Sequence, residues 1–259
     1  MKLKKTAFLH PLRPTLFCFA LFGIPFTAYT QTQTLTPLDS NSPTPPKPWE
    51  LVRFDTNIPT TTYSVREWDG LTAIEAQANE SMALLVHPVS VDLSKTPVLC
   101  WAWRVDAALE TANMAAKSGD DYTARVYVSL DLPSSAMSLG TRLALSLARG
   151  AHGDKVPDAA LNYVWDNTHP IGTQMPNAYT EQNRMIVLQS GNERAGKWVF
   201  EKRNILADAQ AQFDTADITV TSVAVASDTD NTKESARAGF THVHFVGANT
   251  PCQFPQTNR

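Results

Sequence analysis

From Asp120 to Leu130 the chain reads D-D-Y-T-A-R-V-Y-V-S-L, and its side chains separate at period two. Tyr122, Ala124, Val126, Val128 and Leu130 fall on one side; Asp121, Thr123, Arg125, Tyr127 and Ser129 fall on the other. Alternation at that period marks a β-strand with its apolar face toward a core and its polar face away from it. The polar side carries an acid, an arginine and a tyrosine in succession, more than a strand needs to stay solvated.

The same rhythm recurs along the chain. Residues 62–78 read as a hairpin, two alternating runs joined by Asp69-Gly70, a strong two-residue turn signal. Residues 82–91 form a strand interrupted by Pro88. Residues 97–105 form another, with Leu99, Trp101, Trp103 and Val105 on one face and Cys100, Ala102 and Arg104 on the other. Residues 161–165, 184–189, 197–205, 217–227 and 239–246 continue the pattern, and Ser190-Gly191-Asn192 reads as a hairpin turn between two of these strands. Leu139, Leu143 and Leu147 instead recur every four residues, an amphipathic helix stopped by Gly150 and Gly153. Residues 206–213 are a second short helix. Residues 167–180 hold Pro170, Gly172, Pro176 and Asn177 and read as a long surface loop, a length uncommon without a function. Many short strands without a βαβ rhythm predict an all-β, jelly-roll-like β-sandwich with one or two short peripheral helices, spanning residues 49–248. Residues 249–259 are an irregular tail.

The N-terminus follows different rules. Lys2, Lys4, Lys5 and Arg13 precede an apolar run of eleven residues, Leu16 to Phe26, and Ala28-Tyr29-Thr30 offers a small-residue exit. Residues 1–30 therefore read as a secretory signal peptide whose apolar run is too short to span a bilayer. The protein is expected to be exported, periplasmic or extracellular, with no integral membrane segment in the mature chain. Residues 31–48, rich in Thr and Pro, read as an extended flexible linker. Residues 1–30 hold four of the 22 basic residues and none of the 25 acidic ones, so the remainder carries a net charge of −7. That balance argues against nucleic acid and against anionic membrane surfaces as partners. Two cysteines remain, Cys100 and Cys252. In an oxidising compartment they either join or stay as free thiols, and spacing alone does not decide between these.

Several short runs stand in a particular order: T-P-V-L-C-W-A-W-R-V-D (96–106), G-D-D-Y-T-A-R-V-Y-V (119–128), L-N-Y-V-W (161–165), N-A-Y-T (177–180), R-M-I-V-L-Q-S-G (184–191), W-V-F-E-K-R-N (198–204) and D-T-D-N-T (228–232). In this order they resemble a bacterial family of exported proteins, the domain of unknown function 3047, over about residues 50–246. The resemblance implies compartment and domain extent and no chemistry. Residues 138–158 look like an insertion, and His242 and His244 depart from the family's pattern. The architecture is also similar to jelly-roll carbohydrate-binding modules, by analogy only.

If the central strands share one sheet, their polar sides combine. Arg104, Asp121, Arg125, Tyr127, Asn162, Arg184, Glu201 and Arg203 would then project from one outer face. Arginine and carboxylate groups grip hydroxyls or acidic groups, and tyrosine stacks on a sugar ring. The leading reading is a non-catalytic module binding a carbohydrate or other cell-envelope component there. Two alternatives stand beside it: a polysaccharide hydrolase or lyase using Asp121 and Glu201, and a structural protein whose charges form a solvated ion-pair ladder. Trp101, Trp103, Tyr163 and Trp165 share phase with Leu and Val and read as core. Asp228 and Asp230 alternate in an acidic turn, a candidate Ca2+ site, against a plain Asx turn. His242-x-His244 has metal-compatible spacing on a strand, with no third ligand in view.

Overall fold

The computed structural model describes residues 32–153 and 156–255; the expected signal peptide and residues 256–259 lie outside them. In chain order the strands are β1 (Thr32–Thr34), β2 (Glu50–Val52), β3 (Thr62–Trp68), β4 (Leu71–Asn79), β5 (Leu84–Val91), β6 (Val98–Val105), β7 (Tyr122–Asp131), β8 (Ala159–Asp166), β9 (Gln174–Pro176), β10 (Asn183–Ser190), β11 (Val199–Asn204), β12 (Thr219–Asp228) and β13 (Ser235–Val246). They build two stacked sheets. One runs β11-β6-β13-β4-β3, with β1 added along β13; the other runs β2-β5-β12-β7-β8-β10-β9. The chain passes from one sheet to the other at most connections, giving the expected jelly-roll-like sandwich.

The apolar phases meet between the sheets. Leu99, Trp101, Trp103 and Val105 of β6 face Ala124, Val126, Val128 and Leu130 of β7 in one core. Trp101 packs on Tyr163 at 5.3 Å and Trp103 on Trp165 at 5.8 Å, so the indoles are core rather than platform. The β3–β4 hairpin turns at Asp69 (φ 49°) and Gly70 (φ 79°), the double positive φ that such a two-residue turn requires.

Four expectations are corrected. β10 and β11 are not a hairpin: β10 pairs with β8, in parallel, while β11 pairs with β6 in the other sheet. Pro88 does not end its strand; it sits in register with Ser222 beside a bulge in β12. The helix α1 (Leu139–His152) forms, capped by Ser138 Oγ accepting from the Thr141 amide, but Leu139, Leu143 and Leu147 face solvent and Leu145 is the buried one. The segment after residue 31 is extended yet not free. β1 pairs with β13, Leu35 is buried, and the Val65 amide donates to the Pro43 carbonyl. The exposed edge of β13 supplies the backbone partners that a Thr/Pro-rich segment lacks by itself. A second helix, α2 (Ile205–Phe213), is joined to β11 by Arg203 and Asp208. No helix among the described residues is long and apolar enough to cross a membrane.

Both ends are held by imidazoles. His87 Nε2 accepts the Thr36 amide (3.2 Å) while Nδ1 faces the Pro88 carbonyl (2.8 Å). His244 Nε2 accepts the Gln253 amide (2.9 Å) while Nδ1 faces the His242 carbonyl (2.6 Å). Cys252 is joined to Cys100, so the tail is also pinned covalently. Burial holds both imidazoles below the ordinary histidine range. A depressed folded value contributes stability that is complete above the ordinary pKa and lost as pH falls through the folded one. Protonation at Nε2 would set N–H against the amide N–H, most fully at His244, since at His87 the Thr36 hydroxyl lies 3.0 Å from Nε2 and can accept instead. Lowering the pH from 7.5 to 5 is therefore expected to cost about 1 kcal/mol per clasp, roughly 2–4 °C of Tm each. Hydrogen exchange should quicken at Thr36 and Gln253 first. Unchanged protection at both amides would count against the clasps.

Candidate functional site

The eight polar residues anticipated on one face occupy separate places. Arg104 lies on the outer face of the β11-to-β3 sheet. Its guanidinium stacks on Trp68 at 4.4 Å and pairs with Asp69 and Asp106. Arg237 stacks on the same indole at 3.9 Å and pairs with Glu75, which also takes Arg66. Burial works to raise the Glu75 carboxyl, but Arg237 and then Arg66 prevail and hold it below its usual value. This is the ion-pair ladder, tightened by cation–π contact. Glu201 and Arg203 face inward at that sheet's edge. Glu201 accepts from Trp103 Nε1 (3.1 Å) and Gln189 Nε2 (2.6 Å), and burial pushes its carboxyl up. Arg203 grips Asp208 at two points, 2.9 and 2.6 Å. Arg184 opposes Leu161, in phase with the core, and its buried Nε has no partner among the described residues. The single face fails because β6 and β11 belong to the opposite sheet from β7, β8 and β10.

What the structure does bring together is Asp121, Arg125, Tyr127 and Asn162, on or beside the outer face of the β2-to-β9 sheet. Tyr127 opposes Asn162, and Arg125 opposes Val164. Arg125 is 1% exposed. Its Nε and Nη2 donate to the two Asp228 oxygens at 2.9 and 2.6 Å. Nη1 donates to the Tyr127 hydroxyl at 3.0 Å, and Nη2 also reaches the Asp120 carbonyl and carboxylate. Burial alone would lower the guanidinium's pKa; Asp228, then Tyr127 and Asp120, reverse this and hold it well above its ordinary value. Burial, with the charges of Asp121 and Asp120, pushes the Asp228 carboxyl up to about 8 against the pull of Arg125.

Tyr122 departs from its expected core phase. A bulge between Ala226 and Asp228 shifts the register there, and the Tyr122 ring lies 4.3 Å under the Arg125 guanidinium. It packs in a second apolar cluster with Met114, Val164, Met185 and Val187, beneath the loop leading to β7. Gly119 of that loop must be glycine, because a Cβ would lie 2.7 Å from the Asn113 amide nitrogen.

Asp121 accepts four bonds, from the Asn231 amide and side chain and from the Thr232 amide and hydroxyl, at 2.6–3.0 Å. The acidic turn therefore closes on Asp121. Carboxylates of Asp121, Asp228 and Asp230 do meet within 4.8 Å. Ca2+ asks for six to eight free oxygens. Here the Asp121 oxygens are committed to the turn and the Asp228 oxygens to Arg125, so the set as it stands does not fit that ion. His242 and His244 are hydrogen-bonded histidines rather than a metal pair. A bulge after Thr241 takes His242 out of the ladder (φ 54°), and His244 is engaged through both nitrogens.

From this buried network a chain of bonds leads outward. Asp120 Oδ2 accepts from Asn177 Nδ2 (2.6 Å), and Asn177 Oδ1 accepts the Tyr179 amide (2.9 Å). The Tyr179 hydroxyl donates toward the Lys117 carbonyl (3.2 Å) and the Asn231 side-chain oxygen (3.3 Å). Lys117 Nζ lies 5.1 Å from the ring centre. Tyr179 is nonetheless 56% exposed. A large ring is thus held rigid at the surface by hydrogen bonds rather than by burial.

Residues 47–244 match the family model described as protein of unknown function, DUF3047. The chain belongs to that family. Three runs that carried the resemblance to DUF3047, at 119–128, 177–180 and 228–232, converge on the Arg125 network, far apart in the chain and adjacent in space. No curated protein matches the chain. Among solved structures, a native family 12 xyloglucanase from Bacillus licheniformis is similar at 10% identity, with 84% of this chain and 99% of that one covered and a TM-score of 0.43. Trichoderma harzianum endoglucanase 3, from family GH12, is similar at 6% identity, covering 85% and 98%, with a TM-score of 0.39. Sequence reasoning missed Asn177, Tyr179 and Asn231 as site residues of this DUF3047 domain. The signals that could have found them were the stretch at 167–180, which holds Asn177 and Tyr179 just beyond β9, and the acidic turn at 228–232, which holds Asn231.

Proposed function

We propose that this exported domain is a non-catalytic binding module for a carbohydrate or other cell-envelope component, seated on the Tyr179 ring. The observation that carries the reading is the rigid exposure of that ring. A pyranose presents an apolar C–H face that stacks on an aromatic side chain, and its hydroxyls need polar neighbours at the rim. Lys117, Asp230 and Asn231 provide a cation, a carboxylate and an amide there. The buried Arg125 network serves as the frame that fixes the loop, since a site on a loop is only as precise as its supporting bonds. Asp121 and Glu201, the acid–base pair of the hydrolase alternative, lie in different settings, share no partner and are each committed to permanent donors. That favours binding over turnover.

Tyr179→Ala is expected to weaken glycan binding by roughly 30-fold, the cost of losing one anchoring side chain of about 2 kcal/mol. Its Tm should stay within about 2 °C of the wild type, because an exposed position contributes little to folding. The measurement is a glycan array followed by calorimetric titration of the best ligand. A wild-type protein silent across the array, or a Tyr179→Ala protein binding as before, would remove the support for this site.

A further inference from the structure

A concavity lies between the terminal segments, away from the Tyr179 ring. It encloses about 470 Å3 and shares no residue with the Tyr179 surface. That volume lies within the range of small-molecule sites. The N-terminal strap from Thr34 to Leu38 forms one wall, the start of β4 another, the bulged part of β13 a third, and Gln253 and Pro255 of the pinned tail a fourth. Its body is apolar, with Trp49, Leu71 and Phe240 prominent. No Asp, Glu, Lys or Arg among the described residues lines it.

One acceptor there has a free valence, and Trp49 Nε1, on another wall, is a buried donor without a partner among the described residues. His242 sits at φ 54°, a left-handed conformation that costs energy in any residue but glycine. The bulge that imposes it lifts His242 out of β13's pairing, which skips from Thr241 to His244, and makes it a lining residue. The Thr241 hydroxyl gives its proton to the Thr72 carbonyl (2.7 Å). His242 Nδ1, 3.1 Å from the same oxygen, must therefore be the donor of that pair. This assigns the neutral tautomer with its lone pair on Nε2, and Nε2 has no partner among the described residues. Burial and the neighbouring His244 favour the neutral ring.

We infer that this cavity is a binding site for an uncharged, mainly apolar small molecule that donates one hydroxyl to His242 Nε2. An apolar wall without charge rejects ions, because nothing compensates their desolvation. An unpaired acceptor selects a hydroxyl over a hydrocarbon of the same shape, and the unpaired Trp49 N–H adds to that preference for a polar oxygen. The inference stands independently of the Tyr179 reading.

The matched probes are 4-butylphenol and butylbenzene, titrated into the purified protein by NMR. The phenol is expected to bind about fivefold more tightly, the worth of one neutral hydrogen bond. Shifts should fall on residues 240–244 and Gln253 and leave Tyr179 unmoved. His242→Gly removes the acceptor while accepting the positive φ, so it should fold and bring the two affinities close to parity. Thr241→Val, which takes away the oxygen that orients Nδ1, should reduce the ratio partway. Failure of both probes to bind the wild type, shifts elsewhere on the surface, or a preference that persists undiminished in His242→Gly would each overturn the inference.

Discussion

Replacing Arg125 by methionine should unfold much of the domain's margin of stability rather than abolish binding on an intact fold. The guanidinium is buried and holds together Asp228, Asp120 and Tyr127. Removing one member of a buried charge group leaves the others unpaired, typically at about 3–5 kcal/mol. Globular domains have on the order of 5–15 kcal/mol in all. A loss of roughly 6–20 °C in Tm follows. The deficit should depend on pH, with a definite sign. Asp228 is already raised to about 8, and losing its cation raises it further. A raised acid contributes stability at low pH that disappears as pH rises through its folded value. The gap between Arg125→Met and wild type should therefore be wider at pH 8.5 than at pH 6. Adding Asp228→Asn should recover part of it, by at least about 1 kcal/mol of coupling. An Arg125→Met protein as stable as wild type at both pH values would mean the network is not structural.

Trp103→Ala is the second large effect. Trp103 is fully buried, crosses Trp101 edge-on at 5.7 Å and meets Trp165 at 5.8 Å across the sandwich. Truncating a buried indole costs about 3–5 kcal/mol through lost transfer energy and the cavity left behind. Here a polar penalty is added. Among the described residues, Trp103 Nε1 is one of two donors to the half-buried Glu201, leaving only Gln189. Trp103→Phe keeps most of the ring contact and loses the donor, so it should cost less than alanine but more than its volume change implies. Chemical denaturation of the three proteins measures this. Equal midpoints for Phe and wild type would show that the Glu201 contact carries no weight.

Period two made the faces of individual strands readable: the β6 apolar set, the β7 set from Ala124 to Leu130 and the indole core lie where alternation placed them. It could not say which sheet a strand joins, because alternation is a property of one strand and pairing is a property of two. Arg104 and Glu201 were consequently gathered with Arg125, though their strands lie across the core. Bulges were equally invisible. One extra residue flips the phase, which displaced Tyr122 from the core and His242 from the ladder. The helix at 139–152 was evident from its leucines, but a stripe does not tell whether a neighbour exists to cover it. Spacing in the sequence does not decide the cysteines; their Cα separation of 5.8 Å does. Of the site, Asp121, Arg125 and Asp228 stood out as charges in unusual company, whereas Tyr179 lies in a loop that has no period to read.

The pairing of β1 with β13 has a consequence for how the chain can fold. Thr32 lies beside Val246, so nearly the whole sequence separates the partners of this ladder. Contacts of such span close late, since the intervening chain must first be ordered. The strand that follows the expected leader thus has no place to dock until the last strand has been made. β13 therefore keeps an open edge until the chain is whole, and this ladder is the last seam of the sandwich to close.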